Sequence, residues 1–103
     1  MKTAIFKKPG LIAVEDHPKP TIQQPTDAVM RVVRACVCGS DLWYYRGDSE
    51  HGQDAIGHEA IGVVEEIGDD VTTMKPGDLV IVPFAFSDNT CPHCENGVQT
   101  ACQ

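Results

Sequence analysis

The sequence predicts a mainly β domain, an antiparallel sandwich or barrel with little helix. Three observations point there. Short apolar runs of strand length recur along the chain, turns rich in Pro and Gly separate them, and no long stretch keeps the 3.6-residue period of an amphipathic helix.

Each element follows from local chemistry. Residues 3–6 and 11–15 read as a hairpin around Pro9-Gly10, because Pro presets the first turn position and Gly accepts a positive φ. Residues 17–25 carry three prolines and no periodicity, which makes a loop. Residues 27–37, DAVMRVVRACV, form the best strand on their length and lack of helical period. A short helix is expected over 40–45, with Ser40 or Asp41 offering a side-chain oxygen to the free amides of its first turn. Residues 60–67, AIGVVEEI, read as another strand in which Gly62 marks a bend or a close backbone approach, and Gly68-Asp69-Asp70 ends it. Lys75-Pro76-Gly77-Asp78 is a turn leading into residues 79–82, a run of buried-strand type. Cys36 reads as a small core residue and His17 and His51 as solvated loop histidines, while Trp43, Tyr44 and Tyr45 suit either a substrate pocket or the core.

Composition narrows the function. A chain of 103 residues with 42% apolar and 22% charged residues is one globular domain. A formal charge of −7, with eight Lys and Arg in all, opposes binding to a polyanion and sets nucleic acid aside. The longest apolar run, residues 79–86, is broken by Pro83 and falls far short of the roughly 20 residues that span a bilayer, so no membrane partner is expected. Lys7 and Lys8 stand where a signal peptide needs its apolar core, which predicts a cytoplasmic location. In that reducing setting, five clustered cysteines point to metal ligation before disulfides.

The C-terminal stretch DNTCPHCENGVQTACQ spaces Asp88, Cys91, Cys94 and Cys102 so that a turn-rich loop can wrap one tetrahedral zinc, with three thiolates and a carboxylate as donors. Four protein donors leave no position for substrate, so such a zinc is structural. His93 is an alternative fourth donor, but its adjacency to Cys94 makes a shared tetrahedron awkward. The rival reading, a thiol-disulfide redox motif in Cys-Pro-His-Cys, requires the first cysteine at a helix N-terminus beside a βαβ unit, and here Glu95-Asn96-Gly97 signals a turn. Farther upstream, Cys38 and His58 offer two zinc-suited donors with the carboxylate of Glu59 beside them.

Four motifs, CGSDLWYYRG, GHEAIGVVEEIG, KPGDLVIV and the cysteine loop, resemble in order and spacing the N-terminal catalytic domain of zinc-dependent medium-chain alcohol dehydrogenases. That resemblance covers essentially the whole chain. It implies a GroES-like, partly open β-barrel with short helical turns, incomplete over residues 1–103, with a structural-zinc loop at about residues 86–103. It also implies that Cys38 and His58 bind a catalytic zinc and that Glu59 can approach the metal. Asp41 would match the carboxylate that fixes the tautomer of the histidine ligand, and Ser40 the hydroxyl that passes the substrate proton. Zinc then polarises the oxygen of a small-molecule alcohol while hydride passes to NAD or NADP.

The pattern also departs from that family. No G-x-G-x-x-G occurs, so no dinucleotide site is assigned; the Rossmann cofactor domain and the third catalytic-zinc ligand are expected outside these residues, and the chain alone is expected to be inactive. An incomplete barrel leaves apolar surface uncovered, which predicts a homo-oligomer. Trp43 stands where many relatives carry a proton-relaying histidine, and Asp88 where they carry the first lobe cysteine. The alternative to an enzyme fragment is a zinc-stabilised β-module that binds a partner without catalysis.

Overall fold

Backbone pairing in the computed structural model, which describes residues 1–102, divides the strands into two antiparallel sheets. One joins β1 (Lys2–Lys8) to β2 (Leu11–Asp16); the other has the order β3 (Ala28–Cys36), β4 (Glu59–Ile67), β5 (Leu79–Val82). Two one-turn helices, α1 (Asp41–Arg46) and α2 (Pro92–Glu95), and a 3-10 turn over Gln99–Ala101 complete the described chain. The mainly β class and all five strands agree with the sequence reading. Gln103, the last residue of the expected lobe, lies outside the described residues.

Residues 54–56 run alongside β1: Phe6 N–H donates to Asp54 O at 2.9 Å and Ile56 N–H to Ala4 O at 3.1 Å. This short pairing joins the hairpin to the segment that carries His58. The C-terminus of α1 docks on the same hairpin, where Gly10 N–H donates to Tyr45 O at 2.7 Å. Gly47 then ends α1 in the left-handed region at φ 84°, a conformation that suits glycine.

Register in the larger sheet positions the functional residues. β3 and β4 pair Ala28 with Ile67 at one end and Cys36 with Glu59 at the other. Between them β4 bulges at Glu65 and β3 at Val33, and the two offsets are of opposite sense. The alignment lost at the first bulge is therefore restored by the second, before the strands reach the site. Gly62 lies at this irregular stretch, and a Cβ there would stand 2.6 Å from Arg31 O; the close approach expected at Gly62 is present. Gly68 is tighter still, with Pro25 O 2.2 Å from where a Cβ would fall.

The buried apolar side chains are Ile5, Phe6, Val64 and Cys94, a small core for five strands. Three expectations about burial need correction. Residues 79–82 were read as a buried strand, yet Leu79 and Ile81 are 65% and 75% exposed, because β5 is the sheet edge and one face is uncovered by the described residues. Cys36, read as core, is exposed at the end of β3 for the same reason. His51, read as solvated, is half-buried and meets the rings of Tyr44 and Phe6 edge-on, at centroid distances of 4.8 and 5.3 Å. His17 is exposed, as expected.

Candidate metal centres

The β3–β4 register brings the first group of donors together. With Cys36 across from Glu59, Cys38 lies two residues past the end of β3 and His58 one residue before the start of β4. Cys38, His58 and Glu59, all half-buried, offer ligand atoms that lie within 4.8 Å of one another. Asp41 stands behind them, only 5% exposed. Its Oδ2 accepts the Cys38 backbone N–H at 3.0 Å, and its Oδ1 lies 3.3 Å from His58 Nδ1. The second contact is close but off the hydrogen-bond axis, so Oδ1 is a buried oxygen without an aligned donor.

The expected side-chain caps on α1 are not formed. Its first amides are already satisfied by the preceding backbone: Asp41, Leu42 and Trp43 N–H donate to the carbonyls of Cys38, Gly39 and Ser40 at 3.1–3.2 Å. Ser40 itself has helical φ and ψ, and its hydroxyl reaches His58 Nε2 at 3.3 Å instead. Hydrogen bonds from the Ser40 hydroxyl and backbone, and then from His58, lower the Cys38 thiol pKa against opposing burial and the charge of Glu59. The His58 pKa is raised, chiefly by its hydrogen bond with Cys38 and then by the charge of Asp41, against opposing burial. A thiol biased to thiolate, an imidazole nitrogen and a carboxylate converging on one point suit a borderline-soft cation such as zinc.

One neighbour escaped the sequence reading. The ring of Phe84 meets His58 edge to face, centroids 4.7 Å apart. In sequence it is one more aromatic in an apolar run, and only the pairing of β5 with β4 brings it to the histidine. Cys36, Asp41, Ile56, His58 and Glu59 line a cavity of about 490 Å3 in which Trp43, Tyr44 and Tyr45 take no part. The pocket role weighed for those aromatics does not hold at this cavity.

The second group lies in the C-terminal loop. Asp88, Cys91, Cys94 and Cys102 offer ligand atoms within 4.8 Å of one another, and His93 is not among them. The sulfurs of Cys91 and Cys94 are 3.5 Å apart, close to the roughly 3.8 Å between two thiolates held tetrahedrally about 2.3 Å from zinc. Asp88 also organises the loop: Oδ1 accepts Thr90 N–H at 2.9 Å and Cys91 N–H at 3.0 Å, and its own N–H donates to Cys102 Sγ at 3.3 Å. The amides of Cys91 and Thr90 hold the Asp88 carboxyl far below the usual carboxylate range. Burial, then the neighbouring Cys91, pushes the Cys94 thiol up to about 12. Cys91 caps α2, but this helix is a single turn that gives way to the expected turn at Asn96-Gly97, and no βαβ unit occurs among the described residues. A buried thiol like Cys94 becomes a thiolate readily when a cation replaces its proton.

An open antiparallel β fold of this topology, with a Cys-His-Glu cluster and a four-donor lobe, defines the class of GroES-like domains found in medium-chain dehydrogenases. Residues 24–103 match the alcohol dehydrogenase GroES-like domain, and the chain belongs to that family. It is 41% identical over 97 residues to the medium chain reductase/dehydrogenase ucsI of an Acremonium species, covering 92% of this chain and 33% of the relative. Zinc-type alcohol dehydrogenase B of Aspergillus flavus is 36% identical, over 100% of this chain and 24% of its own length. Among solved structures, the alcohol dehydrogenase TADH from Thermus sp. ATN1 superposes with a TM-score of 0.94 at 36% identity, covering all of this chain and 30% of that one. The chain thus spans a quarter to a third of the length of these proteins. No helix among the described residues is long and apolar enough to cross a membrane.

Proposed function

We propose that these residues are the N-terminal portion of the catalytic domain of a zinc-dependent dehydrogenase acting on a small alcohol or polyol, with NAD or NADP as hydride acceptor. In this reading residues 1–103 carry the first part of the GroES-like domain and its structural-zinc loop, in a cytoplasmic protein. The nicotinamide is held by a Rossmann domain outside these residues. The observation that carries the reading is the convergence of Cys38, His58 and Glu59 with Asp41 buried behind the histidine.

When bound, zinc supplies Lewis-acid polarisation of the alcohol oxygen. The protein side of the work is positional. The charge of Asp41, with Oδ1 3.3 Å from His58 Nδ1, favours the tautomer that keeps its proton on Nδ1 and so leaves Nε2 free to act as a metal donor. Ser40 Oγ, freed from helix capping, is placed to take a proton from the substrate and hand it on. Trp43 follows with an indole that cannot carry that proton further. In the loop, Asp88 and the three cysteines would hold a structural zinc, which would brace a segment with little core of its own.

Metal analysis of the purified chain tests this directly. Zinc bound in wild type, with one portion lost in Cys38→Ser and His58→Gln and another in Cys94→Ser, is the expected result. Absence of zinc together with fully reactive Cys91, Cys94 and Cys102 would sink it. The 103 residues alone are expected not to reduce NAD or NADP, and detected turnover contradicts that part. The exposed face around Leu79, Ile81 and Phe86 supports self-association; light scattering showing a clean monomer at high concentration would count against it.

A further inference from the structure

We propose that Phe84 is a positioning residue for the His58 imidazole, a role that rests on the metal reading above. β5 pairs with β4 as far as Val82 facing Ala60, and two residues beyond that last pair, past the end of β5 and before the start of β4, Phe84 lies against His58. There the rings meet with centroids 4.7 Å apart and planes at 77°, the geometry in which the positive rim of one ring addresses the negative face of the other.

The polar contacts of His58 do not fix the ring alone. Ser40 Oγ and Asp41 Oδ1 each stand 3.3 Å from a ring nitrogen, and the Asp41 contact is off-axis. A half-turn about Cβ–Cγ exchanges Nδ1 with Cδ2 and Nε2 with Cε1, which takes both nitrogens away from their partners. The Phe84 ring, packed against the imidazole, obstructs that rotation. Phe84 is itself 64% exposed, so the contact is not a by-product of a filled core. A ring left mostly in water beside a donor histidine acts on that histidine more than on overall stability.

The test uses the 103-residue chain with isotope-labelled histidine, the His58 signals being assigned by their loss in His58→Gln. Two readouts are taken in wild type, Phe84→Leu, Phe84→Tyr and Phe86→Leu. The first is the tautomer and ring shifts of His58 in metal-free protein at alkaline pH, where the ring is neutral. The second is affinity for Co2+, followed by the thiolate–cobalt absorption that His58→Gln removes.

Wild type is expected to show a single Nδ1–H tautomer. Phe84→Leu is expected to give a tautomer mixture, lose the ring-current shift and bind Co2+ about three- to tenfold more weakly. Phe84→Tyr restores both, and Phe86→Leu changes neither. A tautomer mixture in wild type, or a Phe84→Leu protein with wild-type tautomer and affinity, overturns the proposal. If Phe84→Leu does not fold, Phe84→Trp substitutes for it: a single tautomer supports the role, and a mixture overturns it. If wild type takes up no His58-dependent cobalt, the metal reading fails, while the tautomer still decides the role of Phe84.

Discussion

Asp41 Oδ1 lies 3.3 Å from His58 Nδ1 while Oδ2 of the same carboxylate accepts the Cys38 backbone N–H at 3.0 Å. One buried side chain thus ties the segment after β3 to the segment before β4. Asp41→Asn keeps the shape and one carbonyl acceptor, but removes the charge that holds the Nδ1 proton. Metal affinity of the Cys38–His58 centre is expected to fall roughly 10- to 100-fold, the range found when such outer partners are lost. Isothermal titration with Co2+ measures it, and an unchanged affinity would remove Asp41 from the site.

The two duties of Asp88 can be separated. Asp88→Asn keeps an oxygen for Thr90 and Cys91 N–H but loses the anionic donor, whereas Asp88→Cys restores a thiolate donor and weakens the turn. Hydrogen exchange in the metal-free protein is expected to show the Thr90 and Cys91 amides protected in wild type and Asp88→Asn, and open in Asp88→Cys. Zinc affinity is expected to run the other way, weaker by more than about tenfold in Asp88→Asn alone. If the two measurements move together in both variants, the separation fails.

Gly68 is fixed by space. A Cβ there would fall 2.2 Å from Pro25 O and 2.5 Å from Pro25 C, both backbone atoms that cannot swing aside. Gly68→Ala is expected to cost about 2 kcal/mol through forced backbone displacement, a fall in Tm of roughly 10 °C for a domain this size. Gly39→Ala, with no atom within 4 Å of the new methyl, is the control. Equal melting temperatures for the two variants would refute the steric account.

Asp78 gives an acid-limb signature. Hydrogen bonds from the Lys75 backbone and side chain hold its carboxyl below the ordinary 3.8, the Lys75 N–H bond measuring 3.0 Å. Because the folded value is the lower one, this stabilisation is present above the unfolded value and is lost as pH falls through the folded one. Wild type is therefore expected to lose stability more steeply than Asp78→Asn below about pH 4, with parallel curves above it. Urea midpoints across that range decide the matter, and parallel curves at every pH would exclude the effect.

Much of this protein was legible in order along the chain. The turn at Pro9-Gly10, the strand before Cys38, the Gly-His-Glu before β4 and the Lys-Pro-Gly-Asp turn into β5 are local signals, written in φ preferences and side-chain type. The lobe donors were also legible, because Asp88, Cys91 and Cys94 sit within one short loop. Burial was harder to read: Cys36 and Ile81 have apolar side chains in strand-like runs, and nothing in the one-dimensional pattern says which sheet face will be covered.

What the sequence by itself determined was therefore the set of strands, the turns and the chemical identity of the donors, since these depend on neighbours a few residues away. Tertiary structure alone decided which donors meet. Two opposed bulges at Glu65 and Val33 restore the pairing of Cys36 with Glu59, and so bring Cys38 to His58 across twenty residues of chain. The same sheet brings Phe84 against that histidine, and the fold sends the Ser40 hydroxyl to a ring nitrogen instead of a helix amide. Such meetings depend on strand register, a property of two segments pairing in space that neither segment encodes alone.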